Sequence, residues 1–124
     1  MLKLIDIKSL KAHEEVDPKH KEEIKNQLVR DGVQIDPILV ENKHHIILDG
    51  HHRVEALKEL GFLRVLAYFV DYKDVKLKSW KPKTKIKKED VIKAAFGTKL
   101  PVKTTRHIID RKPKNLRIGL SDLR

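Results

Sequence analysis

Apolar residues fall into short blocks along this chain, and their spacing alternates between strand-like and helical. Leu2, Leu4, Ile5 and Ile7 predict a short first strand, with a loop from Lys8 to Glu15. Asp17-Pro18 reads as a helix start, Asp as cap and Pro at the first helical position. Ile24 and Leu28, with Val16, supply its apolar stripe, and Asp31-Gly32 ends it. Pro37-Ile38-Leu39-Val40 and Ile46-Ile47-Leu48 predict two strands joined by the polar turn Asn42-Lys43-His44. Val54, Leu57 and Leu60, with Ala56 beside them, predict a helix over roughly Gly50 to Leu60, with Gly61 just past its end. Val65 to Val70 is an apolar run of strand length. Beyond it, Val75 and Leu77 suggest an edge strand ending near Trp80, and Pro82 to Lys88 a basic connector. Lys88 to Phe96 reads as a short helix closed by Gly97, and Leu100 to Ile109 as a loop feeding a strand. Leu116, Ile118, Leu120 and Leu123 are expected near the core edge. Strands and helices interspersed in this way predict a small α+β domain, a mixed sheet with helices packed around one core.

The densest chemistry sits where the return strand gives way to the central helix, at Leu48-Asp49-Gly50-His51-His52-Arg53. Asp49 is a suitable helix N-cap, and Gly50 allows a sharp backbone turn. A helix N-terminus favours anions, because its unpaired N–H groups and the helix dipole point the same way. Two readings stay open on local chemistry alone: a phosphate-binding turn, or an ordinary capped helix with exposed histidines. Arg53 suits phosphate best, since a guanidinium forks onto it and stays charged. His51 is also readable as a partly buried structural histidine.

Charge divides the chain. Residues 1–70 balance to −1 and residues 71–124 to +11, for a net +10. A basic half suggests an anionic partner, nucleotide or nucleic acid, although the lysines from Lys76 to Lys88 read more simply as a solvated surface. There is no cysteine, which removes disulfides, thiolate catalysis and cysteine-ligated metals. No run is long and apolar enough to span a membrane, and the N-terminus does not read as a signal peptide, so a cytoplasmic location is expected.

Taken together, His13-Glu14-Glu15, the helix ending in Asp31-Gly32, Pro37-Ile38-Leu39-Val40 and Ile47-Leu48-Asp49-Gly50-His51-His52-Arg53-Val54-Glu55-Ala56-Leu57 resemble the ParB/sulfiredoxin-like superfamily. The Asp-Gly-His-His-Arg form, followed by Thr104-Thr105-Arg106-His107, is similar to the free-serine kinases within it. The resemblance runs from about Leu4 onward and implies a single domain over 1–124, with residues 1–70 as the core and residues 71–124 completing the site. It implies phosphorylation of free L-serine to O-phosphoserine with ADP or ATP and Mg²⁺, in the service of cysteine synthesis, by a monomer or homodimer. A sulfiredoxin-like reductase is rejected, because His51 stands where that chemistry needs a cysteine. A ParB-like nucleic-acid-binding module or nuclease is the alternative; against it, no helix-turn-helix follows the core and aromatics for base stacking are few.

The resemblance places the catalytic glutamate in His13-Glu14, with Glu15 one residue away as the rival. Asp49 is expected to hold Mg²⁺ and to act in catalysis. Gly50, His51, His52 and Arg53 are expected to bind nucleotide phosphates, with Thr104, Thr105, Arg106 and His107 as a second anion-binding group. Trp80 is expected to line the serine pocket or pack on the nucleotide, with His52 and Arg106 also touching substrate. Such a transfer needs positive groups on the phosphates, a metal, and a carboxylate to orient or deprotonate the hydroxyl. These residue types meet that requirement.

Overall fold

The computed structural model describes residues 1–81 and 83–124. Of the basic connector expected over Pro82 to Lys88, Pro82 therefore lies outside the described residues. Strand β1 (Leu2–Asp6) leads through a 3₁₀ turn to α1 (Pro18–Asp31) and the short β2 (Val33–Ile35). The hairpin β3 (Ile38–Glu41) and β4 (Ile46–Asp49) follows, then α2 (His51–Glu59) and β5 (Arg64–Val70). The C-terminal half adds β6 (Lys76–Lys78), α3 (Lys88–Ala95), β7 (Arg106–Ile108) and β8 (Arg117–Gly119). The main sheet has the order β1-β5-β3-β4. It is mixed: β5 runs antiparallel to β1 and parallel to β3, and β3 runs antiparallel to β4. Two further pairs, β2-β8 and β6-β7, are each antiparallel. No described helix is long and apolar enough to cross a membrane.

Side chains alternate across a strand, so β3 feeds both faces of the sheet. Ile38 and Val40 join one apolar cluster with Ile47, Val65, Ala67, Val54, Leu57 and Leu28, while Leu39 joins another with Ile46, Leu48, Val75 and Val91. The sheet thus splits the interior into two clusters, one per face. Helices α1 and α2 cover the first, and α3 with the β6–β7 ribbon covers the second. Each fully buried branched aliphatic contributes about 1.5–3 kcal/mol. The four fully buried β3 and β4 residues Ile38, Leu39, Val40 and Ile46 anchor the strands that carry the site.

The signals at both ends of α1 hold. Asp17 accepts from the Lys19 amide with Pro18 at the first helical position, and Gly32 closes α1 in the left-handed region at φ 69°. Asp49 is corrected as the cap of α2. It is the last residue of β4, and Gly50 is the N-cap, with φ 111° and no side-chain cap bond. A Cβ on Gly50 would collide with the Ile38 side chain, so only glycine lets the strand turn into the helix there. Strands β2 and β8 escape the apolar pattern. They are held by each other and by Gln34, a fully buried polar residue. Its amide donates to the Asp36 and Leu66 carbonyls and accepts from the Leu66 N–H.

Candidate active site

The expected motifs converge on a cavity of about 340 Å³ lined by Glu14, Asp49, Gly50, His51, His52, Trp80 and Thr105, with Glu15, His20, Leu48 and Lys103 completing the wall. One side is the β4–α2 junction. The other joins residues 13–15 to residues 100–105. Residues 13–15 lie beside Leu100 in a parallel bridge: the Leu100 N–H donates to the His13 carbonyl and the Glu15 N–H to the Leu100 carbonyl, both at 2.8 Å. This brings Thr104 and Thr105 onto Glu14.

Glu14 is buried, and each of its oxygens has a fixed donor. The Thr104 amide donates to Oε1 at 2.9 Å and the Thr105 hydroxyl to Oε2 at 2.7 Å. Burial pushes the Glu14 carboxyl above its ordinary range, against the opposing pull of the Thr105 hydroxyl and the amides of Thr104, Lys103 and Thr105. Glu15 lines the same cavity but is exposed. Only Glu14 therefore combines burial, a donor on each oxygen and a raised proton affinity.

Beneath Glu14 lies a cluster of neutral histidines. His13 is fully buried; its Nδ1–H donates to the Ile47 carbonyl at 2.7 Å and its Nε2 lies 2.9 Å from the Thr105 hydroxyl. Burial lowers its pKa to about 4, the bond to Ile47 opposing. His51 packs edge-on to it, centroids 4.5 Å apart, and its Nε2 accepts from the His13 backbone N–H. The neutral ring therefore keeps its hydrogen on Nδ1. Burial, then the neighbouring His13 and His107, hold His51 well below the ordinary imidazole value. His52 accepts from the Asp17 amide at 3.0 Å and is likewise lowered, mainly by burial.

Several expected phosphate ligands are placed elsewhere. The Arg53 guanidinium turns away from the cavity and donates to the carbonyls of Ile35, Asp36 and Pro37, at 3.2, 2.7 and 3.4 Å. Its fixed fork clamps the β2–β3 turn, and its Nη2 lies 4.0 Å from Asp49 at the cavity wall. His107 points inward, where Nε2 meets the Tyr72 hydroxyl at 2.8 Å and the ring packs 5.5 Å from His13. Burial, and then His13, lower it to about 3, so it stays neutral. The Thr104 hydroxyl donates to the Pro101 carbonyl, leaving its amide for Glu14. Arg106 is exposed and stacks on Trp80, 4.5 Å from ring centre to guanidinium. Trp80 is itself 57% exposed, so core packing does not account for it.

Asp49 stands at the cavity wall. Partial desolvation pushes its carboxyl up, but the Lys112 ammonium, hydrogen-bonded at 2.9 Å, and Arg53 at 4.0 Å hold it below the ordinary value. Among the described residues no group of three or more carboxylates and imidazoles could by itself hold a metal ion. A single carboxylate nonetheless suits Mg²⁺, which keeps several waters and takes phosphate oxygens as ligands. Sequence reasoning missed Lys112, 63 residues from its partner, and Lys103, whose only signal was its place beside Thr104-Thr105.

No family model matches the chain. Over 85 residues it is 40% identical to the ATP-dependent L-serine kinase of Staphylothermus marinus, a match covering 64% of this chain and 34% of the relative. The chain is similar to L-serine kinases over part of their length. The ATP-dependent L-serine kinase of Desulfurococcus mucosus is 31% identical over 113 residues, 86% of this chain and 44% of that protein. The ADP-dependent L-serine kinase of Thermococcus kodakarensis is 31% identical over 84 residues, 63% and 35% respectively. The chain thus spans less than half the length of these L-serine kinases. Its fold is that of a free serine kinase solved in complex with AMP: TM-score 0.88 at 16% identity, covering 98% of this chain and 93% of the other.

Proposed function

We propose that this chain phosphorylates the hydroxyl of free L-serine, with ADP or ATP as donor, and that residues 1–124 act as one domain. The observation that carries the reading is the pairing across one cavity of a buried, proton-avid carboxylate, Glu14, with the N-terminus of α2. A base and an anion seat lining one cavity are what transfer of a terminal phosphoryl group to an alcohol requires. The names of its relatives support the acceptor and both donors.

In this reading the phosphates meet the N–H groups at Gly50, His51 and His52, where a glycine without Cβ permits close approach. Lys103 and Arg106 add positive charge, and the Thr105 hydroxyl stays on Glu14. Trp80, with Arg106 stacked on it, closes over the substrate. Asp49 would hold Mg²⁺ with water and phosphate oxygens; the ion supplies neutralisation of the charge that builds on the transferring group. The serine oxygen forms a bond to phosphorus as the bond to the leaving nucleotide breaks, and the hydroxyl proton passes to Glu14. A carboxylate is a weak base toward an alcohol, so it accepts the proton late in the transfer. Burial, which raises the proton affinity of Glu14, favours that acceptance.

The test is a product assay: purified protein, Mg²⁺ and L-serine with ADP or ATP in separate reactions, read by mass spectrometry. O-phosphoserine is expected, with AMP as co-product from ADP or ADP from ATP. Absence of product with both donors, from protein whose fold is intact by circular dichroism, would overturn the reading.

A further inference from the structure

Counting hydrogens along the buried chain behind Glu14 gives an odd result. The Ile47 carbonyl can only accept, so His13 carries a hydrogen on Nδ1. When His13 is neutral, its Nε2 is then an acceptor, facing the Thr105 hydroxyl oxygen at 2.9 Å. On its other side that hydroxyl faces Glu14 Oε2 at 2.7 Å, which is also an acceptor while Glu14 is a carboxylate. One hydroxyl hydrogen thus stands between two acceptors, and one of them goes without. The other Glu14 oxygen is already held by the Thr104 amide. The chain is one proton short, and the place for that proton is Oε2.

The geometry points to His13 as a positioning residue that stabilises the protonated form of Glu14 through the Thr105 hydroxyl. This rests on the proposed serine-kinase reading only for the source of the proton. When a proton arrives on Oε2, the carboxylic O–H donates to Thr105 Oγ1. The Thr105 hydroxyl swings its own hydrogen to His13 Nε2, and His13 Nδ1–H keeps its bond to Ile47. Every donor and acceptor is then satisfied without a net charge, in a place where an unpaired one is expensive. In this proton movement the substrate O–H is broken and the Glu14 O–H is made, the P–O bonds exchanging as described above, while Thr105 only rotates about its C–O bond. The groups facing His13 fit this role: His51 on α2 and His107 on β7 pack against it as neutral rings, and among the described residues Glu14 is the carboxylate paired with it, 3.7 Å from Nε2. Burial keeps the imidazole from taking the proton itself, which leaves its lone pair for Thr105.

The experiment is a carboxyl ¹³C NMR titration of Glu14 in wild type, His13→Asn and His13→Gln. It needs no turnover, so it stands apart from the product assay. Asparagine preserves the donor to Ile47 and loses the acceptor near Nε2; glutamine does the reverse. The Glu14 pKa is expected to fall by about one unit, a tenfold loss of proton affinity, in H13N and to stay near wild type in H13Q. Where O-phosphoserine forms, H13N is expected to lower kcat and move the acid limb of its pH profile to lower pH. A second measurement uses wild type alone: the His13 Nε2 ¹⁵N resonance should move upfield in step with Glu14 protonation while Nδ1 keeps its hydrogen. An unchanged Glu14 pKa in H13N, or a His13 Nε2 signal indifferent to Glu14, would overturn the inference, whatever the product assay finds.

Discussion

The two walls of the cavity are made in opposite ways. The β4–α2 wall comes from one contiguous stretch, Leu48 to His52, and its donors are backbone groups fixed by a glycine turn at the edge of the main sheet. The Glu14 wall is assembled from residues about 90 apart, its carboxylate held by Thr104 and Thr105 and backed by His13. The first wall offers a permanent dipole that needs no titration. The second offers a group whose protonation is set by what surrounds it. A seat for an anion can be local because an exposed helix N-terminus supplies it; a carboxylate of raised proton affinity cannot, because removing water from it takes several elements at once.

Substitutions separate the two walls. Glu14→Gln should have the largest effect, lowering turnover by roughly 10²–10⁴-fold while leaving nucleotide affinity within a few-fold by calorimetry. Full activity in that variant would move the base to Glu15. Gly50→Ala attacks the other wall. A side chain at φ 111° pressed into Ile38 should cost about 2–4 kcal/mol of stability in denaturant unfolding; a loss under 1 kcal/mol would mean the turn can relax. Arg53→Ala should cost about 2 kcal/mol through its lost bonds to the β2–β3 turn, with nucleotide affinity unchanged by calorimetry. A large fall in affinity without loss of stability would return Arg53 to the phosphate.

A separate test is the pH dependence of stability. His13 and His51 are buried and His107 half-buried, all neutral with lowered pKa values, so the unfolded chain binds protons before the folded one does. Stability should be at its plateau above about pH 6.5 and fall below it, by roughly 1.4 kcal/mol per pH unit for each histidine that must charge on unfolding. The window extends down to about 4 for His13 and about 3 for His107. Glu14, whose carboxyl is raised, takes its proton earlier in the folded state and offsets part of that loss. Stability that stays flat from pH 7 to pH 5 would show that the histidine cluster is hydrated.

How much of this was legible in the sequence follows the same division. The caps, the apolar runs and the Asp49–His52 turn are local signals, and α1, α2, α3, β3, β4 and β5 stand within a few residues of where the pattern puts them. Strands β2 and β8 are three residues each and exist through their pairing and through Gln34, which no periodicity announces. At the site, the residue types were readable but their directions were not. Arg53 and His107 look like anion ligands as letters. One spends its donors on carbonyls and the other faces the interior, because of neighbours 16–18 and 35 residues away. The role of His13 depends on Thr105, 92 residues later, and nothing in either local stretch points to the other.

The bridge between Glu14 and Leu100 also sets an order of events in the making of the protein. While a ribosome is still extending the chain, Glu14 emerges before Leu100 to Thr105, as a solvated carboxylate without its donors. It acquires its donors only when the segment from Leu100 to Thr105 has been released and has folded back across the sheet. The tuned carboxylate is in this sense a late product of synthesis, absent from any nascent form that has the main sheet and the β4–α2 turn but not yet the segment that encloses Glu14.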